Sequence, residues 1–137
     1  MTVVIDSSVT LAWYFEDEIT AASDDVLHRV GDEGAVVPTL WRFEVGNGLQ
    51  MGIRRKRISA AFRDQVFARL SRLDIVTDEE CDAYAWSAGV RLSERHNLTL
   101  YDAVYLELAQ RRRVELATLD AALAWAAAAE GISIIGR

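Results

Sequence analysis

The chain has 137 residues, 51% of them apolar and 26% charged, with a formal net charge of −6. That is one domain's worth of globular sequence, without the ~20-residue apolar run a bilayer span requires. The acidic balance argues against a protein that coats nucleic acid through bulk charge, and the lone cysteine, Cys81, excludes an intramolecular disulfide and fits a reducing cytoplasm.

Val3-Val4-Ile5 is a short apolar run with no basic segment before it, cut short by Asp6. It reads as a strand buried on both faces rather than as a signal peptide. Ser7 or Ser8 is placed to cap a helix over 8–15, and a second helix is expected over 18–30, stopped by Gly31. Ala35-Val36-Val37 is the next strand, ended by Pro38, and Thr39 then caps a helix over 39–53. Ser59 opens a helix over 59–72 whose Phe62, Val66, Leu70 and Leu73 share one face. Ile75-Val76 is a third strand, and Ala83, Trp86 and Val90 pattern a helix over 79–94. After a loop at His96-Asn97 come a helix over 101–112 and a strand over Leu116-Ala117-Thr118. An alanine-rich helix over 120–130 and a last strand, Ser133-Ile134-Ile135, complete the chain. Strands alternating with helices predict one α/β domain, 1–137, with a parallel sheet covered by helices on both faces. Such sheets bind ligands at the carboxyl ends of their strands.

Four acids stand where core residues are expected: Asp6, Glu44, Asp102 and Asp120. Each alone has an ordinary explanation. Asp6 and Asp120 are good helix caps, Asp102 suits a first helical turn, and Glu44 suits a surface. Their neighbours argue otherwise. Glu44 shares a helix face with Leu40, Trp41 and Met51, and Asp102 shares one with Tyr105, Leu106 and Ala109. Asn47, one turn on from Glu44, is placed to hydrogen-bond it, and Gly46 and Gly48 leave room for close backbone approach. Inward carboxylates need a cation or protons, and magnesium with phosphoryl chemistry is the expectation. Two histidines and one cysteine cannot build an ordinary zinc site. An aspartate-nucleophile phosphatase is disfavoured because Ser8, not Asp, follows Asp6 by two residues. A non-catalytic module, binding a basic partner through its acids, is the other alternative. Arg54-Arg55-Lys56-Arg57 and Arg111-Arg112-Arg113 read either as solvated helix ends or, together in an acidic protein, as a face for a polyanion.

The motif contexts carry a resemblance. Val4-Ile5-Asp6-Ser7-Ser8-Val9, Pro38-Thr39-Leu40-Trp41-Arg42-Phe43-Glu44-Val45-Gly46-Asn47, Leu98-Thr99-Leu100-Tyr101-Asp102-Ala103 and Thr118-Leu119-Asp120-Ala121-Ala122-Leu123 follow in the order of the four motifs of a PIN domain. Within PIN domains the chain resembles VapC, the toxin ribonuclease of type II toxin–antitoxin pairs. The resemblance covers the whole chain and implies a three-layer α/β/α sandwich with a five-stranded parallel sheet. It also implies an endoribonuclease dependent on Mg2+ or Mn2+, with Asp6, Glu44, Asp102 and Asp120 as its acidic quartet. Asp6 and Asp102 are the implied direct ligands, with Glu44 and Asp120 acting directly or through water. Ser7, Asn47 and Thr118 are implied to orient the acids, and the two basic clusters to contact RNA. A further acid that some PIN domains carry near the last motif has no clear equivalent here. The implied partners are a cognate VapB-like antitoxin and a second copy of the chain, with no membrane. Trp13, Tyr14 and Phe15 follow one another on the first helix ~100° apart, so at least one faces outward. Trp13 and Phe15 are the residues expected in the antitoxin groove; the alternative is that all three pack in core or dimer contacts.

Overall fold

The computed structural model describes residues 2–137. Its strands are β1 (Val3–Ile5), β2 (Ala35–Val37), β3 (Ile75–Thr77), β4 (Leu116–Ala117) and β5 (Ile134–Ile135). They form one all-parallel sheet in the order β3-β2-β1-β4-β5. Every residue of β1, β2 and β4 is buried, so helices cover both faces at the sheet centre, as the α/β/α expectation requires. β3 and β5 are the edges and stay partly exposed. The chain steps outward from β1 through β2 to β3, then returns to the far side of β1 for β4 and β5. The order therefore reverses between β1 and β4, which opens a crevice at their carboxyl ends.

The helix α1 (Ser7–Ala12) leaves β1 directly, capped by Asp6 rather than by Ser7 or Ser8. It stops at Ala12, and Trp13, Tyr14 and Phe15 lie on the turn beyond it, so helical spacing does not govern where they point. Trp13 and Phe15 are both buried, which corrects their expected place in an exposed groove; Tyr14 is the half-buried one. Trp13 Nε1 donates to the Ser23 carbonyl at 2.9 Å, which anchors the indole in the core.

The helix α2 (Ala21–Glu33) starts at a Thr20–Ser23 capping box and runs through Gly31. The residue that stops it is Gly34, at φ +77°, where a Cβ would press on the Asp74 carbonyl. Next come α3 (Leu40–Arg54) and α4 (Ala60–Ser71). Ser59 caps α4, but Thr39 makes no side-chain cap on α3, being already helical itself. Gly48 accommodates Leu11 of α1, whereas nothing approaches Gly46. The segment expected as one helix over 79–94 is α5 (Cys81–Tyr84), a π-helical turn over Ala85–Gly89, and α6 (Val90–His96). The wider turn shifts the register, so Trp86 is exposed while Cys81, Gly89 and Leu92 are buried. The last helices are α7 (Leu100–Arg112) and α8 (Ala121–Ala129). Among the described residues no helix is long and apolar enough to cross a membrane.

Candidate active site

The four acids come from four elements and lie around the β1–β4 crevice. Asp6 ends β1 and caps α1, with its Oδ1 accepting from Val9 N at 3.0 Å. Ser8 Oγ donates to the same oxygen at 2.6 Å, and Thr118 Oγ1 donates to Oδ2. An ionised carboxylate offers about four lone-pair positions, so about one is left, on Oδ2. Asp6 is only 4% exposed. Burial pushes its carboxyl up to about 6 despite these hydrogen bonds, and the Asp102 charge adds to the rise.

Glu44 begins the second turn of α3 and is half-buried. Its Oε1 accepts from Tyr105 OH at 2.6 Å and from Ser7 Oγ at 3.3 Å. The Tyr105 hydroxyl is held in its protonated form by burial first and by Glu44 second. Asn47, expected as the partner of Glu44, is instead exposed: one turn along α3 it has rotated to the solvent side. Asp102 lies in the first turn of α7, where its N–H donates to the capping Thr99 Oγ1 at 3.1 Å. Its carboxyl is raised by burial, then by the charges of Asp120 and Glu44. Asp120 caps α8, accepting from Leu123 N at 2.8 Å, and its own N–H donates to Thr118 Oγ1 at 3.0 Å.

Two hydroxyls stitch the β4–α8 connection to Asp6. Thr118 bridges Asp120 to Asp6, and Ser8 accepts from Leu119 N at 2.9 Å while donating to Asp6. Ser8 as a partner of Asp6 and Tyr105 as a partner of Glu44 are not among the expected residues. The one available signal was spacing: Ser8 lies two residues after Asp6, and Tyr105 lies three residues after Asp102 on the face already read as inward.

Asp102 feels each of the other three acids, and so is the electrostatic hub of the cluster. Like charges that raise one another are relieved by a divalent cation between them. The donors are all hard oxygens, which suit magnesium or manganese and not zinc. Among the described residues no three His, Cys, Asp or Glu side chains converge closely enough to hold one ion. Magnesium fits such a set, since it takes one or two carboxylates and completes its shell with water and substrate phosphate.

The basic clusters part company. Arg54, Arg55 and Lys56 are exposed at the end of α3. Arg57 is tied to Asp17 and Glu18 at 2.7 and 2.8 Å and lies 4.1 Å over the Phe15 ring. Arg111, expected to contact RNA, is engaged in an internal ion network. It bonds the buried Asp78 and Glu107, stacks on Tyr84, and fastens the end of α7 to the segment after β3. Arg112 shares Asp78 at 2.8 Å, and Arg113 terminates α7 at φ +57°. Burial raises the Asp78 carboxyl, but the two guanidiniums outweigh it and hold the group well below the usual carboxylate range. Arg111 also stands about 14 Å along α7 from Asp102. Cys81 is buried beside this network, its thiol pushed up to about 12, as befits a core residue rather than a nucleophile.

A parallel sheet that reverses at an acid-lined crevice places the chain among α/β proteins that gather carboxylates at the carboxyl edge of the sheet. The PIN domain family model matches residues 3–129, and the chain belongs to that family, whose members are generally nucleases. The crystal structure of PAE2754 from Pyrobaculum aerophilum is similar at a TM-score of 0.71 and 24% identity, covering 98% of this chain and 90% of that one. The crystal structure of FitAcB from Neisseria gonorrhoeae is similar at a TM-score of 0.62 and 14% identity, covering 97% of this chain and 96% of that one. At these identities both establish the fold alone. No curated protein matches the chain.

Proposed function

We propose that this PIN domain is a Mg2+- or Mn2+-dependent endoribonuclease acting as the VapC-like toxin of a toxin–antitoxin pair. The observation that carries the reading is the electrostatic coupling of Asp6, Glu44 and Asp120 to Asp102 at the sheet's reversal point. Asp6 Oδ2 and Asp102 are the groups to hold the cation, with Glu44 and Asp120 completing the site directly or through water. When bound, the cation lowers the pKa of a water and offsets charge on the phosphodiester. The protein's own contribution is orientation. Thr118 and Ser8 fix the Asp6 carboxylate, Tyr105 and Ser7 fix Glu44, and the Thr99 cap fixes the first turn that carries Asp102. Arg54, Arg55 and Lys56 remain as cations for the substrate backbone. An antitoxin and a second copy of the chain are the proposed partners, and Trp125, 81% exposed on α8, is a large apolar anchor for one of them to cover.

The test is cleavage of a labelled RNA by the purified chain with Mg2+ or Mn2+, with EDTA, and with Asp102→Asn. Cleavage that needs the metal and is lost in Asp102→Asn supports the reading. Metal-independent cleavage, or full activity of Asp102→Asn, would sink it. A non-catalytic module is the second reading, favoured by the separation of the four carboxylates. It predicts no cleavage and tight binding of a basic peptide that is lost in the same variant.

A further inference from the structure

We propose that Phe43 and Tyr101 are base-stacking residues that position unpaired bases of a nucleic acid strand at the acidic cluster. The proposal rests on the nuclease reading above and names how that site would grip its substrate. Each ring stands next in sequence to one of the acids, Phe43 before Glu44 and Tyr101 before Asp102. Phe43 is 71% and Tyr101 62% exposed, and neither belongs to the hydrophobic core. The fold therefore gains little packing from either ring.

Each ring sits on a helix that carries one of the acids. The Tyr105–Glu44 bond, 2.6 Å long, holds α7 against α3 at the site. Tyr101 precedes Tyr105 by one turn on the same face of α7, and side chains on a helix lean toward its N-terminus. Phe43 precedes Glu44 on α3 and lies on that helix's solvent side. From Phe43 the exposed residues Asn47, Gln50 and Arg54 continue at helical spacing, so an aromatic end and a cationic end are about 16 Å apart on one stripe.

The electrostatics explain why rings are needed. With a net charge of −6 and four acids in the crevice, the chain repels a polyanion at long range. Base–aromatic stacking does not depend on charge and tolerates any base, because every base has a π-face. A duplex keeps its bases stacked on one another and out of reach of the two rings, so the substrate must be unpaired where it meets them.

The experiment uses the full chain with Mn2+ and a fluorescent single-stranded RNA oligonucleotide. Phe43→Leu, Tyr101→Leu and the double variant remove rings while keeping apolar bulk; Phe43→Tyr and Tyr101→Phe keep a ring. Trp86→Leu removes a still more exposed aromatic on the π turn as a control. Each ring loss is expected to raise KM by roughly 5- to 150-fold, the range of one lost stack, with kcat little changed. The ring-keeping variants and the control should behave as wild type. Oligonucleotide affinity, read by anisotropy in the Asp102→Asn background, should fall in parallel, and affinity for a duplex should not change. Unchanged KM and affinity in the double variant, with wild type cleaving, overturn the proposal and leave the nuclease reading intact; rings covered by a protein partner give this result. Ring-dependent binding without any cleavage by wild type overturns the nuclease reading and leaves stacking standing.

Discussion

Asp6 performs two tasks with one carboxylate: it caps α1 and it faces the crevice. Asparagine caps a helix about as well as aspartate but carries no charge, so Asp6→Asn separates the two. The variant should keep its fold and lose RNA cleavage, checked by circular dichroism beside a cleavage assay. Its pH dependence follows from the carboxyl held at about 6 against its ordinary value of 3.8. Between those values the folded chain binds more protons than the unfolded one, so raising the pH destabilises the metal-free protein. The loss is on the order of 3 kcal/mol, complete once the pH passes the folded value. Urea denaturation in EDTA should show wild type losing this much relative to Asp6→Asn between about pH 4 and pH 7; parallel curves would contradict it. Tyr105→Phe removes the short bond to Glu44 and should cost about 1 kcal/mol of stability. If Glu44 works in the site, the same change slows cleavage roughly 10- to 100-fold, measured at saturating metal. At this scale the acids were legible because charged residues interrupt apolar runs. Tyr105 was not, since its partner Glu44 is 61 residues away, and neither was the tie that Ser8 makes from Asp6 to Leu119 N, 111 residues on.

The element that organises the molecule is α7. Its first turn carries Asp102, its middle carries Tyr105 and the buried leucines Leu106 and Leu108, and its last turn carries Arg111. Arg111 was legible as part of a basic run but not as the partner of Asp78 and Glu107, because the run's sequence is the same whether its side chains meet water or buried acids. Removing it leaves those two carboxylates buried without their main cation. Arg111→Ala should therefore cost about 3–5 kcal/mol in a denaturation experiment. RNA affinity among the molecules that stay folded should be unchanged. A variant of wild-type stability with weakened RNA binding would restore Arg111 to the substrate face. The π turn between α5 and α6 shows another limit. Apolar residues at spacings of three and four predicted one helix through Trp86, and a single wider turn exposes that residue instead. Spacing registers the period of a helix but not an interruption in it.

Across the whole molecule, the site is assembled by strand order. Asp6 and Asp120 are 114 positions apart in the chain and become neighbours because β4 pairs with β1, with Thr118 bridging them. A cation that binds only the assembled site stabilises the fold by mass action. At a concentration 100 times its Kd, Mg2+ or Mn2+ should add about 2.7 kcal/mol, seen as a rise in Tm that Asp102→Asn lacks. Equal shifts in both proteins would mean the ion binds elsewhere. The alternation of buried strands and helices, the parallel α/β class and the four candidate acids were legible in the residues alone. These follow from local patterns: runs of β-branched residues, helical spacing, caps, and charge where none is expected. Packing in the folded chain set the rest: β4 adds beside β1, Tyr105 holds Glu44, Ser8 ties the β4–α8 connection to Asp6, Arg111 belongs to an internal ion network, and Trp13 and Phe15 are buried. Each of these is a contact between distant segments, set by packing and desolvation in three dimensions rather than by the neighbours of a residue along the chain.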